Sequence, residues 1–289
     1  MFFRWDWLRP VLTAPIVPTL GPVHPHALTV DLFEDIRTAA ATDRYFLHYD
    51  KDRRWSSEKD ETVLADGIVH QPDRTLIPTL SSRGRGTIKV FVYSHLSDIL
   101  SQAAGLAAKL TAEHGVAGAR VVRPLGPEAT PADGVRIQLQ DFAARPCHDP
   151  GGPVRPYTEW PATVRDTFAP YAQTMAADGL SFLHTQMQSA GCGPVLTAAL
   201  DGRVVGAIGP MEIRRDAIGQ RQLMPQYFAV LPEARGKGLG RLLWRAAMHW
   251  GQSHGADYQL LQTAVGGASD RLCRDEGLVS LGFVCARRV

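Results

Sequence analysis

The segment that most constrains this chain is a glycine-rich turn between an apolar strand and a helix. Its residues run Val230-Leu231-Pro232-Glu233-Ala234-Arg235-Gly236-Lys237-Gly238-Leu239-Gly240-Arg241. Glycine at every second position lets the backbone take positive φ and approach a ligand closely. The helix that follows points its free N–H groups and the positive end of its dipole at the turn. The segment therefore predicts an anion-binding loop, and a pyrophosphate fits it best.

Two well-known phosphate loops do not fit the spacing of these glycines. A Walker A loop requires Gly-x-x-x-x-Gly-Lys-Ser/Thr, but here Gly240 is followed by Arg241 and Leu242. A dinucleotide-binding fingerprint requires Gly-x-Gly-x-x-Gly, whereas these glycines recur at every second position. The spacing therefore excludes the nucleoside-triphosphate and dinucleotide versions of such a loop.

The register Val-x-Pro-Glu-x-Arg-Gly-x-Gly-x-Gly instead resembles the acyl-CoA loop of the GNAT N-acyltransferase superfamily. Its core here is Arg235-x-x-Gly238-x-Gly240. The resemblance covers residues from about 157 to 289 and includes the order of the predicted elements. It implies an α/β fold (α+β, with a mixed sheet) in which two central strands splay apart.

Hydrophobic periodicity and turn residues predict the elements of this C-terminal part. We expect helix over 163–188 with a break near Pro170 or Gly179, strands at 194–200, 203–214 and 222–231, a helix at 239–254, a strand at 257–263, a helix at 268–276 and a strand at 283–286. Asp201-Gly202 is typical of a two-residue hairpin turn. Gly255 is typical of the residue that ends a helix.

The stretch 145–153 concentrates proline and glycine and is typical of a linker. It predicts an N-terminal αβ domain at 1–152 and a GNAT-like acyltransferase domain at 153–289. In the N-terminal part we expect a strand at 87–93, a helix from Ser97 to Glu113 and a strand at 119–122. Two interpretations stay open: a degenerate copy of the C-terminal unit, with Ser94-His95-Leu96-Ser97 in place of the glycine loop, or an ordinary β-α-β unit.

The composition limits the class of protein. The 289 residues are 45% hydrophobic and 21% charged with a net charge of +2, which is typical of a globular protein without bulk attraction for polyanions. Asp6, Arg9 and Pro10 interrupt the first apolar residues, so we expect an extended arm and neither a signal core nor a membrane span. The four scattered cysteines lack metal-ligand spacing. We therefore expect no metal and a reduced, cytoplasmic location.

The family resemblance assigns the acyl-CoA site to the strand, loop and helix around the glycines. It implies that backbone groups of Phe228 and Val230 hold the pantetheine arm, and that the N–H groups from Gly236 to Arg241 hold the pyrophosphate. The predicted cofactor-binding residues are Phe228, Val230, Arg235, Gly236, Lys237, Gly238, Leu239, Gly240 and Arg241. The expected co-substrate is acetyl-CoA or another acyl-CoA.

The proton-transfer residues depart from the family's pattern. Many members carry a Glu four residues before the Val that closes the strand, where this chain has Gln226. Many carry a Tyr five residues before the Phe of the final Gly-Phe, where this chain has Leu278. An amide can orient a water but has no useful basicity. The candidate catalytic residues are therefore Glu212, Gln226 and Tyr227. The side chains that could replace the missing base are Glu212, Tyr227, His184 and His249, and Glu212 is the strongest candidate among them.

Three functions are compatible with these observations. We favour an N-acyltransferase that moves an acyl group from acyl-CoA to a small-molecule amine. A second is an aminoacyl-tRNA-dependent amide-forming enzyme of secondary metabolism, which would bind nucleic acid; the near-intact pyrophosphate loop argues against it, because a terminal adenosine carries no pyrophosphate. A third is a non-catalytic acyl-CoA-binding module. We expect no membrane partner, and the acceptor, the acyl length and the oligomeric state stay open.

Overall fold

A computed structural model describes residues 8, 11–41, 46–96, 98–189 and 192–289. The described residues form two compact units. The first unit contains Met1–Leu139, Asp216–Ile218 and Leu260–Val289, and the second contains Gln140–Arg215 and Gly219–Gln259. Compactness does not establish which segments fold independently, so the predicted domain division between 152 and 153 stays a prediction. Among the described residues, none of the helices is long and apolar enough to cross a bilayer.

The helices and strands alternate along the chain, with mixed parallel and antiparallel pairing, and the fold is α/β as expected. The N-terminal elements are β1 (Ile16–Val17), β2 (Gly21–Pro22), α1 (Val30–Ala41), β3 (Glu61–Val63), β4 (Val69–Gln71), β5 (Arg74–Ser81), β6 (Thr87–Ser94), α2 (Ile99–His114), β7 (Gly118–Leu125) and β8 (Val135–Asp141). The later elements are β9 (Val154–Pro156), α3 (Ala162–Arg165), α4 (Phe168–Thr174), α5 (Leu180–Met187), β10 (Leu196–Leu200), β11 (Arg203–Gly209), β12 (Ile213–Arg215), β13 (Arg221–Leu223), β14 (Tyr227–Val230), α6 (Leu239–Ser253), β15 (Tyr258–Ala264), α7 (Ala268–Asp275) and β16 (Val279–Arg288).

The sheet of the first unit has the strand order β8-β16-β7-β6-β5-β3, with β4 also paired to β5. The β6 and β7 strands are parallel, and their connection is α2. Ala103, Ala107 and Leu110 recur at helical spacing along α2, and they belong to one buried cluster with Ile88 and Val90 of β6. Burial of these apolar side chains is the force that fixes α2 on this face of the sheet.

The segment that contains β1 is buried within the same unit, whereas residues 1–7, 9 and 10 of the expected N-terminal arm lie outside the described residues. Ile16 and Val17 of β1 are 4% and 0% exposed. The Tyr93 hydroxyl of β6 donates to the Ile16 carbonyl at 3.1 Å. A buried phenol needs such a partner, so this hydrogen bond joins the segment to the sheet.

The second unit contains an antiparallel sheet with the order β9-β10-β11-β14. Asp201 and Gly202 connect β10 to β11 with φ of +49° and +73°, the backbone of a type I′ turn. The predicted helical stretch divides into α3, α4 and α5, with Gly179 at φ +80° before α5. Leu243 and Ala247 bury one face of α6, which ends before Gly255.

The strand predicted at 222–231 is instead two strands with different neighbours. Leu223 of β13 lies opposite Gln259 in a parallel pair with β15. Phe228 of β14 lies opposite Ile208 in an antiparallel pair with β11. Pro225 lies between them, and its lack of an N–H breaks the hydrogen-bond ladder. The chain thus leaves one neighbouring strand and joins another.

The corresponding pair in the first unit shows no such break. From Thr87↔Gly118 to Phe91↔Val122, β6 and β7 stay in parallel register. Both units therefore contain a strand–helix–strand connection. In the first unit β6 and β7 are paired, whereas in the second unit β14 pairs with β11 and β15 pairs with β13. The proposed internal repeat stays a prediction, and Ser97, the predicted cap of α2, lies outside the described residues.

Candidate functional site

The glycine loop lies between β14 and α6, in the second unit. Gly236 and Gly238 have φ of +76° and +78°, and no atom lies within 4 Å of the position that a Cβ would take on either residue. This left-handed backbone favours glycine at both positions. Gly238 is the N-cap of α6 and provides no side chain to cap the helix. Lys237, between them, is exposed.

The loop presents a series of backbone donors. No N–H from Gly236 to Gly240 donates to a backbone carbonyl of the described residues. Two residues further along, the Leu242 N–H donates to the Gly238 carbonyl at 3.1 Å. Unsatisfied N–H groups at the N-terminal end of a helix, together with its dipole, attract anions. The loop therefore has the donors that a pyrophosphate requires.

Gly240 brings the first turn of α6 close to β14. A Cβ on Gly240 would lie 3.6 Å from Phe228 Cζ and 3.9 Å from Val230 Cγ2. A longer side chain at this position would occupy the space over the strand. The glycine thus keeps open the region where the helix N-terminus and the strand meet.

One edge of β14 is paired with β11, and the other has no neighbouring strand in the described four-stranded sheet. The Leu231 N–H donates to the Val205 carbonyl at 2.8 Å, and alternation then directs the backbone groups of Ala229 toward β11. The groups of Phe228 and Val230 point to the opposite edge, where β14 ends the described four-stranded sheet. An extended pantetheine arm could pair with such an edge as an additional strand does.

Two side chains fix the backbone of β14. Arg235 Nε donates to the Val230 carbonyl at 3.0 Å, so the first residue of the predicted motif binds the end of the strand. The Tyr171 hydroxyl donates to the Ala229 carbonyl at 2.8 Å. Burial raises the pKa of Tyr171, so this phenol stays protonated at neutral pH. No local pattern in the sequence predicted this role for Tyr171.

An amide pair occupies the point where the chain passes from β13, which pairs with β15, to β14, which pairs with β11. Gln259 Nε2 donates to Gln226 Oε1 at 2.6 Å, and Gln226 Nε2 donates to the Met224 carbonyl at 2.5 Å. Gln259 is fully buried, and its Oε1 has no hydrogen-bond partner among the described residues. Neither amide can take up a proton at neutral pH. Gln259 was missed, although a lone polar residue in the apolar run Tyr258-Gln259-Leu260-Leu261 was an available signal.

The other candidate catalytic residues have structural contacts of their own. Glu212 forms an ion pair with Arg214, and its carbonyl accepts from the Met224 N–H at 2.9 Å. The Tyr227 ring packs against Phe182 with 5.7 Å between ring centroids. These contacts leave the catalytic roles of Glu212, Gln226 and Tyr227 as predictions.

The two histidines that are candidate bases also have structural contacts. The His249 Nδ1 lies 3.1 Å from the Cys147 carbonyl. The His184 ring lies 5.6 Å from Phe168, centroid to centroid. In the described part of the chain, no group of three or more His, Cys, Asp or Glu side chains is arranged to hold a metal ion.

Comparisons with known proteins agree with the geometry. Residues 158–272 match the Acetyltransferase (GNAT) family. The structure of a GCN5-related N-acetyltransferase from Sphaerobacter thermophilus is 14% identical, covers 90% of each chain and has a TM-score of 0.50. A GCN5-related N-acetyltransferase from Kribbella flavida is 13% identical over 76% of this chain and 87% of that one, with a TM-score of 0.47. A tandem GNAT protein from the clavulanic acid biosynthesis pathway is 13% identical over 90% and 94%, with a TM-score of 0.47.

The comparison with curated proteins gives no match. At 14% identity, the structure from Sphaerobacter thermophilus establishes a shared fold alone, over most of the chain. The family match includes the glycine loop, α6 and the separated strands. The C-terminal part of this chain therefore contains a domain of the GNAT acetyltransferase superfamily.

Proposed function

We propose that this protein is an N-acyltransferase that moves the acyl group of an acyl-CoA, with acetyl-CoA as the donor, to a small-molecule amine. The observation that carries the proposal is the position of Gly240, 3.6–3.9 Å below Phe228 and Val230 as measured from its ideal Cβ. A pyrophosphate on the loop and a pantetheine arm along β14 would then form one continuous binding site. The family match over residues 158–272 supports the same activity.

In the proposed reaction the amine nitrogen attacks the thioester carbonyl. The N–C bond forms, the C–S bond breaks, and the sulfur leaves as a thiolate. No strong acid is needed, because the conjugate thiol has a pKa of about 8.5. The amine proton passes to water. Backbone N–H groups where the chain passes from β13 to β14 are candidates to stabilise the oxyanion.

The Gln226–Gln259 pair sets a requirement on the amine. Because neither amide accepts a proton, the amine must reach the site already neutral. Weakly basic amines such as hydrazines or aromatic amines satisfy this requirement at neutral pH. Gln259 would act by positioning the Gln226 side chain, to whose Oε1 its Nε2 donates at 2.6 Å.

Isothermal titration of the full chain with acetyl-CoA tests the donor site. Gly240→Glu places a carboxylate in the first turn of α6. The helix dipole stabilises a negative side chain at this position, so the helix is retained, but the charge repels a bound pyrophosphate. We expect affinity to fall about tenfold or more, because like charges in contact cost several kcal/mol. Gly105→Glu is the matched control, since Gly105 lies in α2 with open space around it.

Unchanged affinity in Gly240→Glu would overturn the loop assignment. An equal loss in Gly105→Glu would mean that a general charge effect, and not the loop, controls binding. Absence of binding by the wild type at about 1 mM acetyl-CoA would overturn the proposed function.

A further inference from the structure

The first unit contains a cavity of about 370 Å³ on the face of the sheet opposite α2. The strand residues Phe91, Val122 and Val284 form part of an apolar floor, and Ile16 of the N-terminal segment lines the same space. All of these residues lie within one compact unit. The volume is in the range of small-molecule sites, which is about 300–1,000 Å³. The cavity shares no residue with the glycine loop.

The rim of this cavity is charged and mostly paired. Its cations and carboxylates are Lys51, Lys59, Arg83, Lys89, Arg120, Asp52, Asp60 and Glu61. Four of the cations have carboxylate partners: Lys51 with Asp52 at 3.1 Å, Lys59 with Asp50, Arg83 with Asp60, and Lys89 with Glu61 at 2.6 Å. Arg120 forms no ion pair with a carboxylate of the described residues. The lining therefore has an unbalanced guanidinium.

The register of the strands places further positive charge beside Arg120. Lys89 of β6 and Arg288 of β16 lie directly opposite Arg120 on its two sides. Residues opposite each other in a sheet share a face, and like charges in such positions destabilise the sheet. One carboxylate, Glu61, is engaged with Lys89, so the row Lys89–Arg120–Arg288 keeps a positive excess. A bound anion would relieve this repulsion.

The wall beside this row is preorganised by a buried ion pair. Lys59 and Asp50 have side chains 3% and 1% exposed, and they are bonded to each other. Burial alone would raise the pKa of the Asp52 carboxyl, but Lys51 and Lys59 outweigh it and lower that pKa. The Asp52 carboxylate is therefore charged at neutral pH. Among the described residues that line the cavity, Arg120 is the cation without a carboxylate partner.

We propose that the first unit binds a small anionic molecule with an apolar body, its phosphate or carboxylate group at Arg120 and Lys89 and its apolar part on Phe91 and Val122. The guanidinium of Arg120 suits both phosphate and carboxylate oxygens, because its planar donors bind them in pairs. The cavity is thus a second ligand site of the chain, independent of acyl transfer.

Titration calorimetry with three probes that share one phenyl ring tests this site: phenyl phosphate, benzoate and neutral benzyl alcohol. The protein carries Gly240→Glu, which is expected to weaken anion binding at the glycine loop. We expect phenyl phosphate to bind more tightly than benzoate, because it carries about two charges at pH 7.5. We expect benzyl alcohol not to bind. The two anions distinguish a phosphate ligand from a carboxylate ligand.

Arg120→Gln should weaken the tighter anion about tenfold or more. Arg123→Gln is the matched control, because Arg123 lies on the same strand but on the opposite face of the sheet. The proposal is overturned if both variants lose affinity equally, if Arg120→Gln binds as the wild type does, or if neither anion binds at about 10 mM. Circular dichroism of each variant separates loss of binding from loss of folding.

Discussion

Gln259 of β15 donates from its side-chain amide to that of Gln226, 2.6 Å away, where the chain passes from β13 to β14. The bond joins two residues of the second unit at the separation of its central strands. In many GNAT enzymes a carboxylate base stands at the position of Gln226. Here two neutral amides replace it, and this replacement leads to the first two predictions.

Gln226→Glu should create a base. The new carboxylate keeps an acceptor for Gln259 Nε2 and loses the hydrogen bond that Gln226 Nε2 donates to the Met224 carbonyl. We expect kcat/KM for alkylamines at pH 7 to rise by about tenfold to a hundredfold, the lower part of the usual range for general-base catalysis. Weakly basic amines should gain little, because they are already neutral.

Steady-state kinetics with both classes of amine measures this effect. Gln222→Glu, on the paired strand β13, adds the same charge outside the separation. An equal gain in that control, or no gain with alkylamines, would contradict the assignment of Gln226.

Gln259→Leu should reduce activity without a large loss of stability. Its buried Oε1 lacks a partner among the described residues, and such an atom costs about 1–3 kcal/mol, which the leucine removes. We expect thermal unfolding within a few degrees of the wild type and a fall of about tenfold or more in kcat/KM, comparable to loss of other positioned groups. Gln138→Leu is the control, as Gln138 is equally buried with an unpartnered Oε1 in the first unit. Equal losses of activity in the two variants would contradict a positioning role.

Tyr171→Phe should destabilise the second unit by about 0.5–1.5 kcal/mol, the net contribution of one hydrogen bond. The variant removes the 2.8 Å bond to the Ala229 carbonyl and retains the aromatic packing against Phe168. Because the bond fixes the paired edge of β14, the KM for acetyl-CoA should rise. Chemical denaturation and kinetics measure the two effects. Wild-type stability together with wild-type KM would show that the bond has no role.

Asp270 should make the first unit sensitive to acid. Burial alone would raise the pKa of its carboxyl, but hydrogen bonds from Arg136, Gly266 and Thr263 outweigh burial and lower the pKa. A lowered pKa stabilises the fold above the unfolded value of about 3.9, and that stability is lost as pH falls through the folded pKa. Asp270→Asn should cost about 3–5 kcal/mol at pH 7, because Arg136 loses its carboxylate.

The melting temperatures of wild type and Asp270→Asn should therefore differ by a constant amount from about pH 8 to 5 and converge below about pH 4. Asp275→Asn, at the exposed end of α7, is the control. A difference that stays constant to low pH would contradict the role of this carboxylate.

Local signals in the sequence predicted the glycine loop, the hairpin turn and α6. Asp201-Gly202 and the glycines of the loop require positive φ, and the structure has it at Gly236 and Gly238. These features depend on neighbouring residues alone, so a single sequence contains them. The fold class followed from their order.

The break at Pro225 and the amide pair depend on pairing between distant segments. The proline was visible, but the strand to which β14 moves is set by sheet topology, which no local pattern contains. Gln259 lies 33 residues from Gln226, so their contact was equally out of reach. The row of cations at Arg120 was missed for the same reason, because it combines three strands.

Release of free thiol from acetyl-CoA in the presence of a panel of amines tests the central claim most directly. The account predicts thiol release that depends on the amine, equals the N-acetyl product in amount, is fastest with weakly basic amines at neutral pH and falls in Gly240→Glu. Binding of acetyl-CoA without amine-dependent thiol release would contradict acyl transfer and leave a non-catalytic binding module.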